Sequence, residues 1–234
     1  MNIKGFVKTT LIDYPGKIAC LVFTGGCNYR CVYCHNAILV TSPDKLQSID
    51  PQEIFDFLDK RKGKLEGVVV SGGEPTIHSD LYDFIKEIKN KGYAVKLDTN
   101  GTNPDMIERL LNDNLIDFVG IDYKGPYGVY QRVVQNNPHV DNVHKTLTIL
   151  KKANIPIDVR TTVHKALLKE SDIELAYKEL NKLGITEWYL QQFNPGHSLA
   201  PEFDNIQTYS DNELIEIASK LGKDVKVRSL LGTH

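Results

Sequence analysis

Apolar residues fall along this chain in two alternating rhythms. Short, nearly continuous β-rich runs occur at 17–24 (KIACLVFT), 67–72 (GVVVSG), 93–100 (YAVKLDTN), 116–123 (IDFVGIDY), 155–163 (IPIDVRTTV) and 186–193 (TEWYLQQF). Between them, 51–61, 81–90, 104–113, 140–153 and 172–183 carry apolar residues three and four positions apart, the spacing of one helical face. Apolar strands joined by amphipathic helices predict a parallel sheet covered by helices, an α/β fold. Six such units suit a barrel or part of one, and a doubly wound open sheet fits the same alternation. A last helix at 211–221 and a short strand at 225–229 follow the longest irregular stretch, 194–205, which is predicted to loop over the sheet's edge.

The unusual polar residues collect where predicted strands end. Cys27 follows the first run, GGEP (72–75) the second, DTNG (98–101) the third and DYKG (122–125) the fourth, while Arg160 lies late in the fifth. In a parallel sheet these positions share the carboxyl edge, where α/β proteins place their sites. One site at that edge is the expectation.

Composition narrows the class. With 234 residues, 41% hydrophobic and 25% charged, the chain suits one soluble domain over 1–234, with a core at about 17–193 and an extension at 194–234. A formal charge of −2 offers no basic field for nucleic acid or an anionic membrane, and no apolar run approaches the length of a bilayer span. A cytoplasmic protein without nucleic-acid or membrane partners is expected. Four cysteines, one of them alone in an apolar run, do not form a secreted disulfide pattern.

Cys20, inside IACLVF, reads as a core residue. The trio Cys27, Cys31 and Cys34, in GGCNYRCVYCHN, reads as chemistry. A structural zinc site needs four ligands, and His35 directly follows Cys34, where both side chains would have to turn toward one small ion. A thioredoxin-like exchange pair from Cys31 and Cys34 would leave Cys27 unemployed. Three thiolates can also hold an iron–sulfur cube with one iron left open. Gly72-Gly73 alone is a plain turn or a place of close ligand approach, and Asp98-Thr99-Asn100 alone is a plain turn.

The CxxxCxxC spacing of CNYRCVYC, with an aromatic residue before the last cysteine, resembles the radical S-adenosylmethionine (SAM) superfamily. TTLIDYPGKIACLVFTGGCNYRCVYCHN, with SGGEP, LDTNG and DYK, resembles the activating enzymes of glycyl-radical proteins as far as about Phe193. The nearest likeness is to the activating protein of anaerobic ribonucleotide reductase in its pyruvate formate-lyase-activase-like form.

The resemblance implies a partial (β/α)6 TIM-type barrel, with a [4Fe-4S] cluster on Cys27, Cys31 and Cys34 and SAM on its open iron. It implies SAM contacts from Tyr33, His35, Gly72, Gly73, Glu74, Thr99, Asn100, Asp122, Tyr123, Lys124 and Arg160. Gly73 is the best single candidate for the amino-group site, and Glu74 either accepts a hydrogen bond there or orients the turn. A monovalent cation, Na or K, would sit beside the SAM carboxylate on Asp98, Thr99, Asp122 and the carbonyl of Tyr123. Asn194 stands where the pyruvate formate-lyase activase has a histidine, which removes any proton role from that position but leaves a contact to SAM.

The implied reaction begins with an electron from flavodoxin or ferredoxin, cleaves SAM reductively and abstracts hydrogen from a glycine of a partner enzyme. Rival readings are activation of a pyruvate formate-lyase-like enzyme, a small-molecule enzyme resembling 7-carboxy-7-deazaguanine synthase, a zinc-stabilised binding module and an inactive adaptor. CHN after the cysteines and TTLIDYPG before them weigh against the deazaguanine synthase. The histidines at 78, 139, 144, 164, 197 and 234 are read as surface or loop residues without chemistry.

Overall fold

A computed structural model describes residues 1–196, 198–229 and 232–233, so His197 and His234 lie outside the described residues. The chain opens with β1 (Ile3–Thr10) and β2 (Ala19–Thr24), followed by the short α1 (Ala37–Thr41), α2 (Pro51–Lys60) and β3 (Gly67–Gly72). Next come α3 (Leu81–Asn90), β4 (Ala94–Thr99), α4 (Pro104–Asn112), β5 (Phe118–Asp122), α5 (Tyr130–Val134) and α6 (Val140–Lys152). The chain continues through β6 (Ile157–Val163), α7 (Glu170–Lys182), β7 (Trp188–Gln192), α8 (Asp211–Leu221), β8 (Val225–Ser229) and β9 (Gly232–Thr233).

Local chemistry explains the helix boundaries. Asp50 caps α2, bonding back from Gln52 with Glu53 completing a capping box ahead of Pro51 at the first turn. Ser210 and Glu213 do the same for α8, and Asn103 caps α4 before Pro104. In α3 the buried residues are Leu81, Phe84, Ile85 and Ile88, one stripe that docks on the sheet. Each such side chain contributes roughly 1.5–3 kcal/mol of burial before entropy.

Strand order decides between the two architectures that periodicity leaves open. The nine strands join in chain order, β2 to β8 are parallel, and β1 and β9 pair antiparallel at the two ends. A doubly wound sheet reverses its order at a switch point; this one never does, so it winds in one sense as a partial TIM-type barrel. Among the described residues β1 and β9 do not pair, and the barrel stays open. β1 was not anticipated: its residues between Gly5 and Thr9 are half-exposed or exposed, so it carries no clean apolar period.

The two faces of the strands differ. Outward residues, such as Cys20, Val22, Val68, Val70, Leu97, Ile121 and Val159, are buried under the helices in the main core. Inward residues are apolar low in β2 and β3, where Leu21 and Val69 pack with Tyr14, and polar from β4 onward, beginning with Lys96 and Asp98. The strands are therefore less continuously apolar than expected, because an open barrel lines a cavity with its inner face instead of packing it.

The histidines need correction. His164 is fully buried against Phe193 and Phe203, its Nδ1 accepting the Ala166 N–H at 3.1 Å and its Nε2 lying 3.1 Å from the Phe203 carbonyl. That pairing fits the neutral ring, with Nε2 donating, and it pins the stretch after β7, which contains a 3-10 turn at Pro201–Asn205. His78 is half-buried, with Nε2 3.0 Å from the Gly25 carbonyl.

Candidate active site

The cysteine loop after β2 is held on several sides by backbone bonds. Gly26 N–H donates to Leu39 of α1 at 2.7 Å, and Arg30 and Val32 donate to the Val134 and Val133 carbonyls at the end of α5, each at 3.0 Å. Glu74 N–H donates to Gly26 O at 2.9 Å and Ala200 N–H to Val32 O at 2.9 Å. Side chains add to this: the Asn100 amide donates to Asn28 Oδ1 at 2.9 Å and lies 4.0 Å from Cys27 Sγ, while Tyr29 N–H donates to the same sulfur at 3.3 Å. A loop fixed this way holds its thiols in place before any ligand arrives.

Gly73 is where this packing becomes strict. A Cβ on it would sit 1.9 Å from the Gly26 carbonyl oxygen, and Gly72, with φ of +121°, would meet Thr24 N at 2.3 Å. Two glycines thus let the end of β3 touch the cysteine loop. Glu74, buried, orients the turn: its carboxylate accepts from the Thr76 N–H and hydroxyl, the Thr99 hydroxyl and the Asn100 N–H, at 2.5 to 3.0 Å. Burial raises the pKa of this acid and those four bonds oppose the rise.

The next wall is charged. Asp122 accepts from Arg160 Nε at 2.6 Å and from Lys124 Nζ at 3.1 Å; Asp98 accepts from Lys96 at 2.7 Å with Arg160 at 3.4 Å. Burial opposes the charge on Asp122, yet Arg160 and Lys124 together hold its carboxyl well below the usual carboxylate range. Gly120 makes room for this network, since a Cβ there would meet Asp98 Oδ1 at 2.2 Å. The oxygens expected to bind a monovalent cation also bond within the protein: Asp98 and Asp122 to Lys96, Lys124 and Arg160, Thr99 Oγ1 as a donor to Glu74, and the Tyr123 carbonyl as acceptor of the Thr161 hydroxyl at 2.5 Å.

A cavity of about 990 Å³ gathers most of the expected residues: Cys27, Cys31, Cys34, Tyr33, His35, Gly72, Gly73, Glu74, Asp98, Thr99, Asn100, Asp122, Lys124 and Arg160. It does not include Tyr123, which is buried under the sheet with its hydroxyl on Glu179, or Asn194, which is exposed beyond β7. The sequence reading missed Lys96, Asp158, Thr162, Gln191 and Arg228, which share the cavity. Period two would have found several: Lys96 lies two before Asp98, and Asp158 and Thr162 flank Arg160 at two residues.

The thiols suit an iron–sulfur ligand set. Burial pushes Cys27 up to about 12 and Cys31 up to about 11, and raises Cys34; Lys124 opposes this at all three. Such thiols become thiolates only beside positive charge, which Lys124 supplies in part and bound iron would complete. Lys124 also lies 5.7 Å from the Tyr33 ring centroid. His35, the fourth ligand a zinc site would need, is exposed and stacked on Phe193, turned to an aromatic neighbour. Cys20 is buried in the outer core with its thiol raised to about 12 by burial, as expected of a packing residue.

Known proteins complete the picture. The profile of the Radical SAM superfamily matches residues 21–180. A protein of Methanocaldococcus jannaschii, provisionally named a glycyl-radical enzyme activating enzyme, is 34% identical over 239 residues, covering 99% of this chain and 97% of its own. The 7-carboxy-7-deazaguanine synthase of the same organism is 25% identical over 93% of this chain and 90% of its own. Streptococcus suis SuiB bound to S-adenosylmethionine has a TM-score of 0.63 at 13% identity, covering 87% of this chain and 48% of SuiB, a likeness of fold. The chain is therefore an enzyme of the radical SAM superfamily and belongs with its glycyl-radical enzyme activating enzymes.

Proposed function

We propose that this enzyme generates a glycyl radical on a partner protein in the cytoplasm, with anaerobic ribonucleotide reductase the first candidate and a pyruvate formate-lyase-like enzyme the second. The observation that carries this is the set of three cysteines, Cys31 buried and Cys27 and Cys34 half-buried, that line a cavity of about 990 Å³ in a chain alike along its whole length to an activating enzyme. The weaker full-length likeness to the deazaguanine synthase, 25% against 34%, favours a protein substrate over a small molecule. Among the described residues no helix is long and apolar enough to cross a membrane.

In this reading Cys27, Cys31 and Cys34 hold a [4Fe-4S] cluster and leave one iron for SAM. When bound, cluster and SAM supply a one-electron reductive cleavage that removes hydrogen from the target glycine, with flavodoxin or ferredoxin as the electron source. The chain's own part is positional. Gly72 and Gly73 bring backbone to the cysteine loop, Glu74 locks the neighbouring turns, and Lys124 and Arg160 set positive charge where a carboxylate would lie. The buried walls keep water from the reactive step.

The test is to incubate the reconstituted enzyme, SAM and a reductant with anaerobic ribonucleotide reductase deuterated at glycine Cα. The expected outcome is a glycyl radical signal on the partner and deuterium in 5′-deoxyadenosine. Production of 5′-deoxyadenosine with no radical on either candidate partner, and turnover of the deazaguanine synthase substrate instead, would overturn the activase reading.

A further inference from the structure

Three side chains beside the cysteine loop close a ring of hydrogen bonds. The Asn28 amide donates to Thr102 Oγ1 at 2.8 Å, the Thr102 hydroxyl donates to Asn100 Oδ1 at 2.7 Å, and the Asn100 amide donates to Asn28 Oδ1 at 2.9 Å. Further bonds pin each corner. Thr102 N–H also donates to Asn100 Oδ1 at 3.1 Å, Asn100 N–H donates to Glu74 at 2.7 Å, the Asn142 amide donates to the Thr102 carbonyl at 2.9 Å and the Asn136 amide to that of Asn28. Asn100 and Thr102 are only 6% and 7% exposed. A buried ring in which every bond runs the same way round is cooperative and rigid.

The ring decides which way the Asn100 amide points. Its Oδ1 accepts two bonds from Thr102, so its nitrogen faces the cysteine loop. One nitrogen hydrogen goes to Asn28 Oδ1, and the other is left for Cys27 Sγ, 4.0 Å from the nitrogen. The sulfur is set for such a donor. As a thiol, Cys27 lies 3.9 Å from Asn28 Oδ1, to which it can donate, while Tyr29 N–H donates to it at 3.3 Å. Bound to iron, the sulfur has lost its proton and only accepts. Asn28 Oδ1 then has no bond to offer it, and the N–H groups of Tyr29 and Asn100 remain as its partners.

We infer that Asn100, locked by its ring with Asn28 and Thr102, is a positioning residue that donates its second amide hydrogen to the Cys27 sulfur and so eases reduction of the cluster. This rests on the reading that Cys27, Cys31 and Cys34 hold a [4Fe-4S] cluster. The electron that starts the reaction adds negative charge, part of which falls on the ligating sulfurs. An N–H group aimed at one of them favours the reduced state, and hydrogen bonds to the sulfurs are among the levers that set such potentials. Because the ring is already closed, the donor need not reorganise when the charge arrives. Thr102 acts at one remove: its hydroxyl joins Asn28 to Asn100 and keeps the amide from turning over.

The test is an anaerobic potentiometric titration of the reconstituted full chain, read as the electron paramagnetic resonance signal of the reduced cluster, with no SAM or partner added. Asn100→Leu fills a similar volume without a donor. At the wild-type midpoint potential its ratio of reduced to oxidised cluster should fall about fivefold, one hydrogen bond's worth. Thr102→Val, which unlocks the amide, should lower the ratio about twofold, the effect of a weakened bond. Thr102→Ser keeps the hydroxyl and should titrate with the wild type. A purely structural role would lower iron content or melting temperature and leave the potential where it was. Equal potentials in Asn100→Leu and the wild type, at equal iron content, overturn the inference and leave the cluster reading standing. If Asn100→Leu takes up no iron, the Thr102 pair decides: a lower ratio in Thr102→Val than in Thr102→Ser supports the inference, and equal ratios overturn it. A wild type that assembles no four-iron cluster brings down the cluster reading, and the inference with it.

Discussion

The two walls of the barrel interior are built on opposite rules. From β2 to β5 the charged groups facing the cavity are matched inside the protein, Glu74 by Thr76, Thr99 and Asn100, Asp98 by Lys96, Asp122 by Lys124 and Arg160, while the Tyr33 hydroxyl is buried without a partner. From β6 to β8, Thr162 and Gln191 have no hydrogen-bond partner among the described residues, and Asp158 Oδ1, two residues before Arg160, is buried without a donor. A wall with its hydrogen bonds closed is rigid and holds a cofactor in one geometry. A wall with open bonding capacity can be solvated and repack more freely. The fold thus separates a wall of closed ion pairs from one with open bonding capacity.

If the first wall is rigid because it is internally matched, breaking the match should be costly. Arg160→Met removes the guanidinium shared by Asp122, Asp98 and Asp158, although each acid keeps a second cation. The expected loss is about 3 kcal/mol, read as a lower denaturant midpoint at unchanged slope. A loss below about 1 kcal/mol would mean that the network is solvated and not structural.

Gly73→Ala probes the join between that wall and the cysteine loop. A Cβ at 1.9 Å from Gly26 O must push backbone, with an expected cost of about 2 kcal/mol and a weakened response of the reconstituted cluster to SAM. Unchanged stability would show that the loop slides freely and that the cysteines are less fixed than the hydrogen bonds imply.

The smallest effect concerns His164, which anchors the segment beyond the second wall. Its pKa is lowered, chiefly by burial, with the Phe203 carbonyl and Asp204 opposing. The unfolded chain therefore takes up a proton that the folded one resists, and stability present above pH 6.5 declines as pH falls below it. The melting temperature of the wild type should drop between pH 6.5 and 5 more steeply than that of His164→Gln. Parallel curves would contradict the neutral buried ring.

Much of this was readable before the structure. Cys27, Cys31, Cys34 and Gly73 announce themselves by spacing and by composition at strand ends, and helices such as 81–90 and 211–221 match their apolar period because burial on one face is what holds them. Strand order was not readable, since alternation is the same in open sheets and barrels. The inner-face residues Lys96, Asp158, Thr162, Gln191 and Arg228 escaped because isolated polar positions in a strand look like interruptions until a cavity is known to lie behind them. Asn194 differs for another reason: the resemblance gives it a contact to SAM, and the chain leaves β7 with that residue exposed and outside the cavity lining. His164 looked like a loop residue because it directly follows a strand, and only the packing of Phe193 and Phe203 buries it.

The central claim is that three cysteines, and not the fourth, hold a cluster open to SAM. The most direct measurement is anaerobic reconstitution with iron and sulfide, then electron paramagnetic resonance of the dithionite-reduced protein with and without SAM, for wild type, Cys31→Ala and Cys20→Ala. The account predicts a four-iron signal that shifts on adding SAM in wild type and Cys20→Ala, and loss of the SAM response and of 5′-deoxyadenosine in Cys31→Ala. A SAM-responsive cluster in Cys31→Ala, or its loss in Cys20→Ala, would contradict it.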